Sequence, residues 1–498
     1  MSRRAPVPLV ALVAVAALVA ACSSDADGDS APSPAPSTST ATTPEPTSER
    51  TSEPTSEPTE PGGPDLDLAL SETVEDSVYP EIGDPGVDAL HYDLDLTWDP
   101  ESDTLTGHEI LTFRSTADAE QFQLDFSDTL DVTSVAIDGT ELDHEQRGKD
   151  LVVTHPVATD ERYVVEIRYQ GTPEPVDAPT TRGDFSTTGF TIDDEHQAWT
   201  MQEPYGAFTW YAVNDQPADK ALYDFTLQVP TPWTGVANGE QVGDEDLEGV
   251  HRTRFHLAEP ASSYLVTMAF GDYDKTEDTG PGGLPITYWT PAGDGVPSIL
   301  RGSPDALAWL EERLGPYPFD TAGILVVDSE SGMETQTMIT ISPDVSDADV
   351  LHEYAHHWYG DQVTPSDWRD VWMNEGMATY LQFLWQAEQV GVPIDDYLDD
   401  VAGSEARTRA ENGPPGDFDP GEFAAPNVYL SGAFLWHALR LRVGEEPFWK
   451  AVRGWPLSQD NQNADRDTLL AYLEEQTGED LGAFWDAWLL GDTTPPLS

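Results

Sequence analysis

The sequence predicts two folded units in series, an antiparallel β sandwich followed by a mostly helical α+β domain. Three observations carry this expectation. Between residues 79 and 276, short runs alternate apolar and polar residues and are separated by turn residues, the pattern of half-buried strands. From residue 277 onward the apolar spacing lengthens to three and four, the period of a helix with one buried face. Ahead of both lies a segment of Ser, Thr, Pro, Glu and Asp that has too little apolar surface to form a core.

The chain begins with Arg3 and Arg4, then an apolar run from Leu9 to Val19, then Val19-Ala20-Ala21-Cys22. This is the layout of an export signal peptide, and the apolar run is too short to span a bilayer as a mature helix. The last four residues resemble the bacterial lipoprotein box, in which the cysteine receives a lipid and becomes the new N-terminus. Cys22 is the only cysteine, so it has no partner for an intramolecular disulfide. Residues 1–22 are therefore read as a lipoprotein signal peptide. The protein is expected to be exported and held by a lipid at Cys22 on the extracellular face of the cell membrane. Residues 23–78 are expected to be a disordered stalk, with Thr51-Ser52-Glu53-Pro54 repeated at Thr55-Ser56-Glu57-Pro58.

Charge narrows the function. Asp and Glu number 92 against 23 Lys and Arg, for a net charge of −69 over 498 residues. Such a surface repels nucleic acid and anionic lipid headgroups, and no Gly-rich phosphate loop is present. The excess acid is read as solubility.

In the first folded unit, strands are expected at Tyr92–Leu96, Glu109–Phe113, Asp150–Thr154 and Tyr163–Ile167. In the second, Ser303-Pro304 starts a helix and Gly315-Pro316 stops it. Further helices are expected over Ala348–Tyr359, Asp370–Gln386, Val428–Val443 and Asp467–Glu475. The alternation of Thr335, Thr337, Ile339 and Ile341 reads as an edge strand.

The chemistry starts at His352-Glu353-Tyr354-Ala355-His356. Residues four apart share a helix face, so both histidines can reach one ion. Glu353 sits where a general base for a metal-activated water belongs. A third ligand comes from a second helix: Glu375, in Trp372-Met373-Asn374-Glu375-Gly376, follows His356 after eighteen intervening residues. Two histidines and one carboxylate leave the fourth position of a tetrahedral zinc free, the arrangement of a catalytic rather than a structural site. One Zn2+ per chain is expected.

This spacing and its surroundings resemble the aminopeptidase N family of zinc exopeptidases. Ser331-Gly332-Met333-Glu334-Thr335 resembles that family's Gly-x-Met-Glu-Asn segment. Glu203-Pro204, then Trp210 through Asp215, Pro217 and Lys220, resembles its N-terminal-domain segment. Tyr429 with Gly432, Ala433 and Arg440 resembles its tyrosine helix, and Gly315-Pro316-Tyr317-Pro318-Phe319 also matches. The resemblance covers nearly all of the folded chain. It implies a saddle-shaped β domain over 79–276 and a thermolysin-like zinc metallopeptidase domain over 277–498. It further implies that Glu334 and Glu203 bind the free amine of a peptide, that Gly332 and Met333 line the substrate, and that Tyr429 stabilises the transition state. The expected activity is zinc-dependent release of N-terminal residues from peptides outside the cell.

The sequence departs from the family at Ser331, Thr335, Met201, Ser431 and His357, which bears on the specificity pocket. The chain also ends soon after Leu489, so the large helical C-terminal domain of longer relatives is expected to be absent and the site more open. Three other readings stay open. A secreted zinc endopeptidase would follow if Glu203 and Glu334 formed no amine pocket. A surface-binding lipoprotein on a degenerate peptidase fold would bind no zinc. A hydrolase of non-peptide substrates, such as epoxides, would leave a peptide panel uncut.

Overall fold

The computed structural model describes residues 64–497. The signal peptide, Cys22 and residues 23–63 of the expected stalk lie outside the described residues. Leu66–Ser498 form one compact unit.

The first half is a β sandwich. Its larger sheet runs in the order Glu240–Leu247, Val250–Ser262, Lys220–Pro230, Val87–Asp99, Thr104–Ser115, Arg162–Gly171, Leu130–Ile137 and Thr140–Glu141. Alternation sets which face packs. In Val87–Asp99, Tyr92, Leu94, Leu96 and Trp98 are buried while Thr97 and Asp99 are exposed, as a two-residue period on one packed face requires. The second sheet runs Thr234–Ala237, Met268–Gly271, Ala198–Met201, Thr187–Ile192 and Val176–Asp177. Trp98 joins the layers, with its ring 5.4 Å from that of Phe190 and stacked on Phe270. The expected antiparallel sheet has one exception: Val87–Asp99 pairs parallel with Lys220–Pro230. The two strands are far apart in sequence, so no hairpin dictates their direction.

The second half opens with a five-stranded sheet in the order Tyr273–Thr279, Pro285–Pro291, Ala322–Val326, Ile339–Ile341 and Gly332–Met333. Eight α-helices follow among the described residues: α1 (Ser303–Leu314), α2 (Asp347–His356), α3 (Trp372–Val390), α4 (Ile394–Asn412), α5 (Pro426–Val443), α6 (Glu445–Ser458), α7 (Arg466–Thr477) and α8 (Gly482–Leu489). None is long and apolar enough to cross a membrane.

In the N-terminal stretch and the sheets, three boundaries differ from expectation. The expected stalk reaches residue 78, yet Leu66–Ala69 is a helical turn whose Ala69 packs on Leu90 and Leu222. Buried Asp76 accepts from the Trp368 amide at 2.7 Å, so apolar and polar anchors together draw this stretch into the fold. The domain boundary at 276/277 falls inside Tyr273–Thr279, a strand that pairs with Pro285–Pro291. Finally, the expected edge strand is shortened to Ile339–Ile341 and lies inside the sheet, because Thr337 adopts φ +64° and breaks the run. Gly332–Met333 is the edge instead.

Candidate active site

Helix α2 is capped by Ser346, whose side chain accepts from the Asp349 amide while the Ser346 amide donates to the Asp349 carboxylate, a reciprocal cap of two orphan donors. It stops at His356, three residues earlier than the periodicity predicts. Gly360 at φ +148° turns the chain there, and the Asp361 amide folds back onto the His356 carbonyl at 3.0 Å. This turn also places the Tyr359 carbonyl 3.2 Å from His356 Nδ1. A carbonyl only accepts, so Nδ1 carries the hydrogen and Nε2 keeps its lone pair for a metal.

Helix α3 brings Glu375 to that face. It approaches α5 closely through two glycines: a methyl group at Gly376 would lie 2.6 Å from the Gly432 Cα. Glu375 and Tyr429 sit next to and one turn before these glycines, so the same close approach carries both side chains to the site.

His352 Nε2 lies 3.1 Å from His356 Nε2 and 3.2 Å from Glu375 Oε2, and His356 Nε2 is 3.4 Å from the same carboxylate oxygen. Two imidazole Nε2 atoms and one carboxylate oxygen thus converge on a single point, as a ligand set around one cation does. A tetrahedral zinc with ligand bonds of 2.0–2.1 Å has ligand–ligand edges of about 3.3–3.4 Å, close to this triangle. The donor set therefore fits zinc.

Two further acid clusters adjoin the triad. Glu334, Glu353 and His356 form one, and Glu203, Glu334 and Glu375 the other, with ligand atoms in each within 4.8 Å of one another. All four carboxylates are buried. Burial, then the charges of Glu334 and Glu375, hold the Glu203 carboxyl well above its usual range. Burial and then Glu334 do the same to Glu353, and burial raises Glu334. Burial also opposes ionisation of Glu375, but His356 and His352 overcome it and pull its pKa well down. Glu334 Oε1 is buried without a hydrogen-bond partner.

Met333 is buried and Gly332 half-buried, on the edge strand beside α2. A methyl at Gly332 would lie 2.6 Å from Glu353 Oε1. The neighbour is the end of a flexible side chain, so Gly332→Ala should fold normally while displacing that carboxylate. Misplacement on the scale of 1 Å can cost roughly a hundredfold, and the expected result is a fall of that order in kcat/KM with an unchanged melting temperature. Parental kinetics would show that Glu353 does not need this space.

Tyr429 lies in the first turns of α5, its ring 6.2 Å from that of His352 and near-parallel to it. Two of the departures from the family pattern face inward: Ser431 donates to Glu405 at 2.8 Å, and His357, fully buried, meets the Tyr317 hydroxyl at 2.7 Å. One residue beside the cleft carries no motif in the sequence. Arg182, from the β half, donates to the Tyr429 phenol oxygen at 2.9 Å; its only sequence signal is that it is one of 23 basic residues.

Comparison with known proteins agrees with this architecture. Residues 88–265 match the Peptidase M1 N-terminal domain and residues 300–488 the Peptidase family M1 domain. The chain is 27% identical over 338 residues to Aminopeptidase N of Streptomyces lividans, covering 60% of this chain but 38% of that protein. It is 25% identical over 435 residues to Leucine aminopeptidase 2 of Aspergillus fumigatus, covering 79% and 69%. The chain thus spans well under half the length of the Streptomyces relative, and 37% of a rice Aminopeptidase M1-A. Among solved structures, an M1 zinc metallopeptidase variant of Deinococcus radiodurans bound to the substrate Tyr-Ser-Ala superposes with a TM-score of 0.76 at 26% identity, covering 85% of this chain and 99% of that one. With a β-rich N-terminal domain, a helical domain carrying the two-histidine, one-glutamate triad, and matches to both domain types, the chain belongs to peptidase family M1 and its metal is zinc.

Proposed function

We propose that this protein is a zinc-dependent aminopeptidase that removes N-terminal residues from peptides outside the cell, tethered to the membrane through a lipid on Cys22. The observation that carries the exopeptidase reading is the buried Glu334 Oε1 beside Glu203 and Glu375, which accepts no hydrogen bond and has only His356 Nδ1 near it, at 3.9 Å. A carboxylate pair next to a metal triad suits a cation with several N–H donors, and a peptide's α-ammonium is one. With that ammonium between Glu203 and Glu334, the first peptide bond reaches the metal. Relatives named as aminopeptidases support the same reading.

His352, His356 and Glu375 would hold the zinc. When bound, zinc supplies Lewis-acid chemistry, polarising a carbonyl and lowering the pKa of a water to about 7. Glu353 takes the proton of the attacking water and returns it to the departing amine. Tyr429 donates a hydrogen bond to the oxyanion as it forms. The sheet edge formed by Gly332–Met333 offers backbone groups along which an extended peptide can lie.

The test is a matched pair of peptides, one with a free N-terminus and one acetylated. Acetylation removes the charge that Glu203 and Glu334 would meet, and leaving a buried charge unpaired costs about 2–5 kcal/mol. The acetylated peptide should be cut about 30-fold to several thousandfold more slowly. Comparable cleavage of both, or cuts at internal bonds, would instead establish an endopeptidase.

Location is tested separately. The leader pattern and the lone Cys22 support an anchor, so Cys22→Ser should move the protein from the membrane fraction to the soluble fraction with kcat/KM unchanged. Retention on membranes would remove the anchor from this reading.

A further inference from the structure

Arg182 lies between Val176–Asp177 and Thr187–Ile192 and is largely buried. Asp184 clamps the guanidinium on one side, accepting from Nε at 3.0 Å and also from Nη2. Nη1 is shared between the Tyr429 oxygen at 2.9 Å and the Ala424 carbonyl at 3.3 Å. The surrounding backbone is fastened to the same place. The Phe423 amide donates to Pro179 O at 2.9 Å, Thr180 Oγ1 to Phe423 O at 2.7 Å, and Thr181 Oγ1 to Glu422 Oε2 at 2.8 Å. Residues 422–425 lead directly into α5, and Ala424 is held at φ +52°, a left-handed conformation that alanine adopts rarely.

A guanidinium has donors and no acceptor, so the phenol oxygen must accept from Arg182. The phenol hydrogen is therefore free for another acceptor, and none takes it among the described residues. We propose that Arg182 is a positioning residue for Tyr429: it occupies the phenol oxygen, steers the O–H into the cleft beside His352, and so lets the β half of the chain set the aim of the oxyanion donor. Its fixed charge also polarises that O–H, and charge-assisted hydrogen bonds are roughly twice as strong as neutral ones. The inference rests on the aminopeptidase reading insofar as Tyr429 acts in the transition state.

The test uses the zinc-loaded full chain with Arg182→Met, Arg182→Lys, Tyr429→Phe and the Arg182→Met/Tyr429→Phe double variant, assayed on an aminoacyl amide. Tyr429→Phe should lower kcat about a hundredfold, the usual effect of losing one oxyanion donor. Arg182→Met should lower kcat by about 10- to 100-fold with KM little changed, the sign of a contact that matters only in the transition state. Arg182→Lys should recover part of the loss, because a point charge can reach one acceptor but cannot reproduce the planar fork. The double variant should be no slower than Tyr429→Phe alone, because Arg182 acts through the hydroxyl. If Arg182→Met slows the Tyr429→Phe enzyme as much as it slows the parent, or leaves the parental kcat intact, the inference is overturned. If Arg182→Met does not fold, Arg182→Lys is compared in both backgrounds instead: a loss of kcat confined to the Tyr429 background supports the inference, and an equal loss in both, or none, overturns it. Full activity of Tyr429→Phe would overturn the role of that tyrosine in the proposed function; a slow Tyr429→Phe with a fast Arg182→Met overturns this inference alone.

Discussion

Glu353→Gln should bind zinc as the parent does and turn over substrate about 10³- to 10⁴-fold more slowly, the upper part of the range for a lost general base. The reason is geometric. Glu353 shares α2 with both histidines, yet its carboxylate belongs to the neighbouring cluster with Glu334 and His356 and not to the metal triangle. Glutamine preserves volume and one accepting oxygen, so the triangle is undisturbed, but an amide cannot take a proton from water. Burial and then the charge of Glu334 hold the Glu353 carboxyl well above its usual range, which brings its proton affinity closer to that of a base working near neutral pH. The measurement is zinc per chain together with single-turnover rate. Turnover within tenfold of the parent would show that another group accepts the proton.

Glu375→Ala should lose the metal and the activity together. Glu375 supplies the only carboxylate oxygen of the triangle, 3.2 Å from His352 Nε2 and 3.4 Å from His356 Nε2. Alanine leaves two neutral imidazoles and an empty place. Losing an outer-shell partner already costs roughly 10- to 100-fold in metal affinity, so loss of a direct ligand should exceed that. Dialysis against a chelator at a concentration that spares the parent should strip the variant. Because metal binding stabilises the folded state by mass action, its melting temperature should stop responding to added zinc. Full zinc content after this treatment would mean that another acid, Glu334 or Glu203, serves as third ligand.

Much of this site is legible without coordinates, and the reasons lie in the range of the interactions. The two histidines are one helical turn apart, so their common face follows from helix geometry alone. The strands around Tyr92–Leu96 and Tyr163–Ile167 show because one face of each meets a core. Helix α4 is not legible in this way, although it is nineteen residues long. Its buried stripe is Tyr397, Leu398, Val401, Glu405, Thr408 and Arg409, and the last turns of that stripe are an ion pair, Arg409 Nε to Glu405 at 2.8 Å. A charge pair buried on the inner face reads as solvent-facing to any hydrophobic period.

What the sequence by itself determined is the chemistry bound to local repeats: the metal helix, the glutamate of the following helix and the alternating strands. The tertiary structure alone decided which distant groups complete the site. Gly376 meets Gly432 because two helices pack there. Arg182 meets Tyr429 across 247 positions, and Glu203 and Glu334, paired in the sequence only through the family resemblance, come together from the two halves of the chain. Local patterns are repeated and therefore visible, since backbone geometry imposes the same period wherever an element buries a face. A single contact between remote residues has no period, and only the closed fold brings its two ends within hydrogen-bond reach.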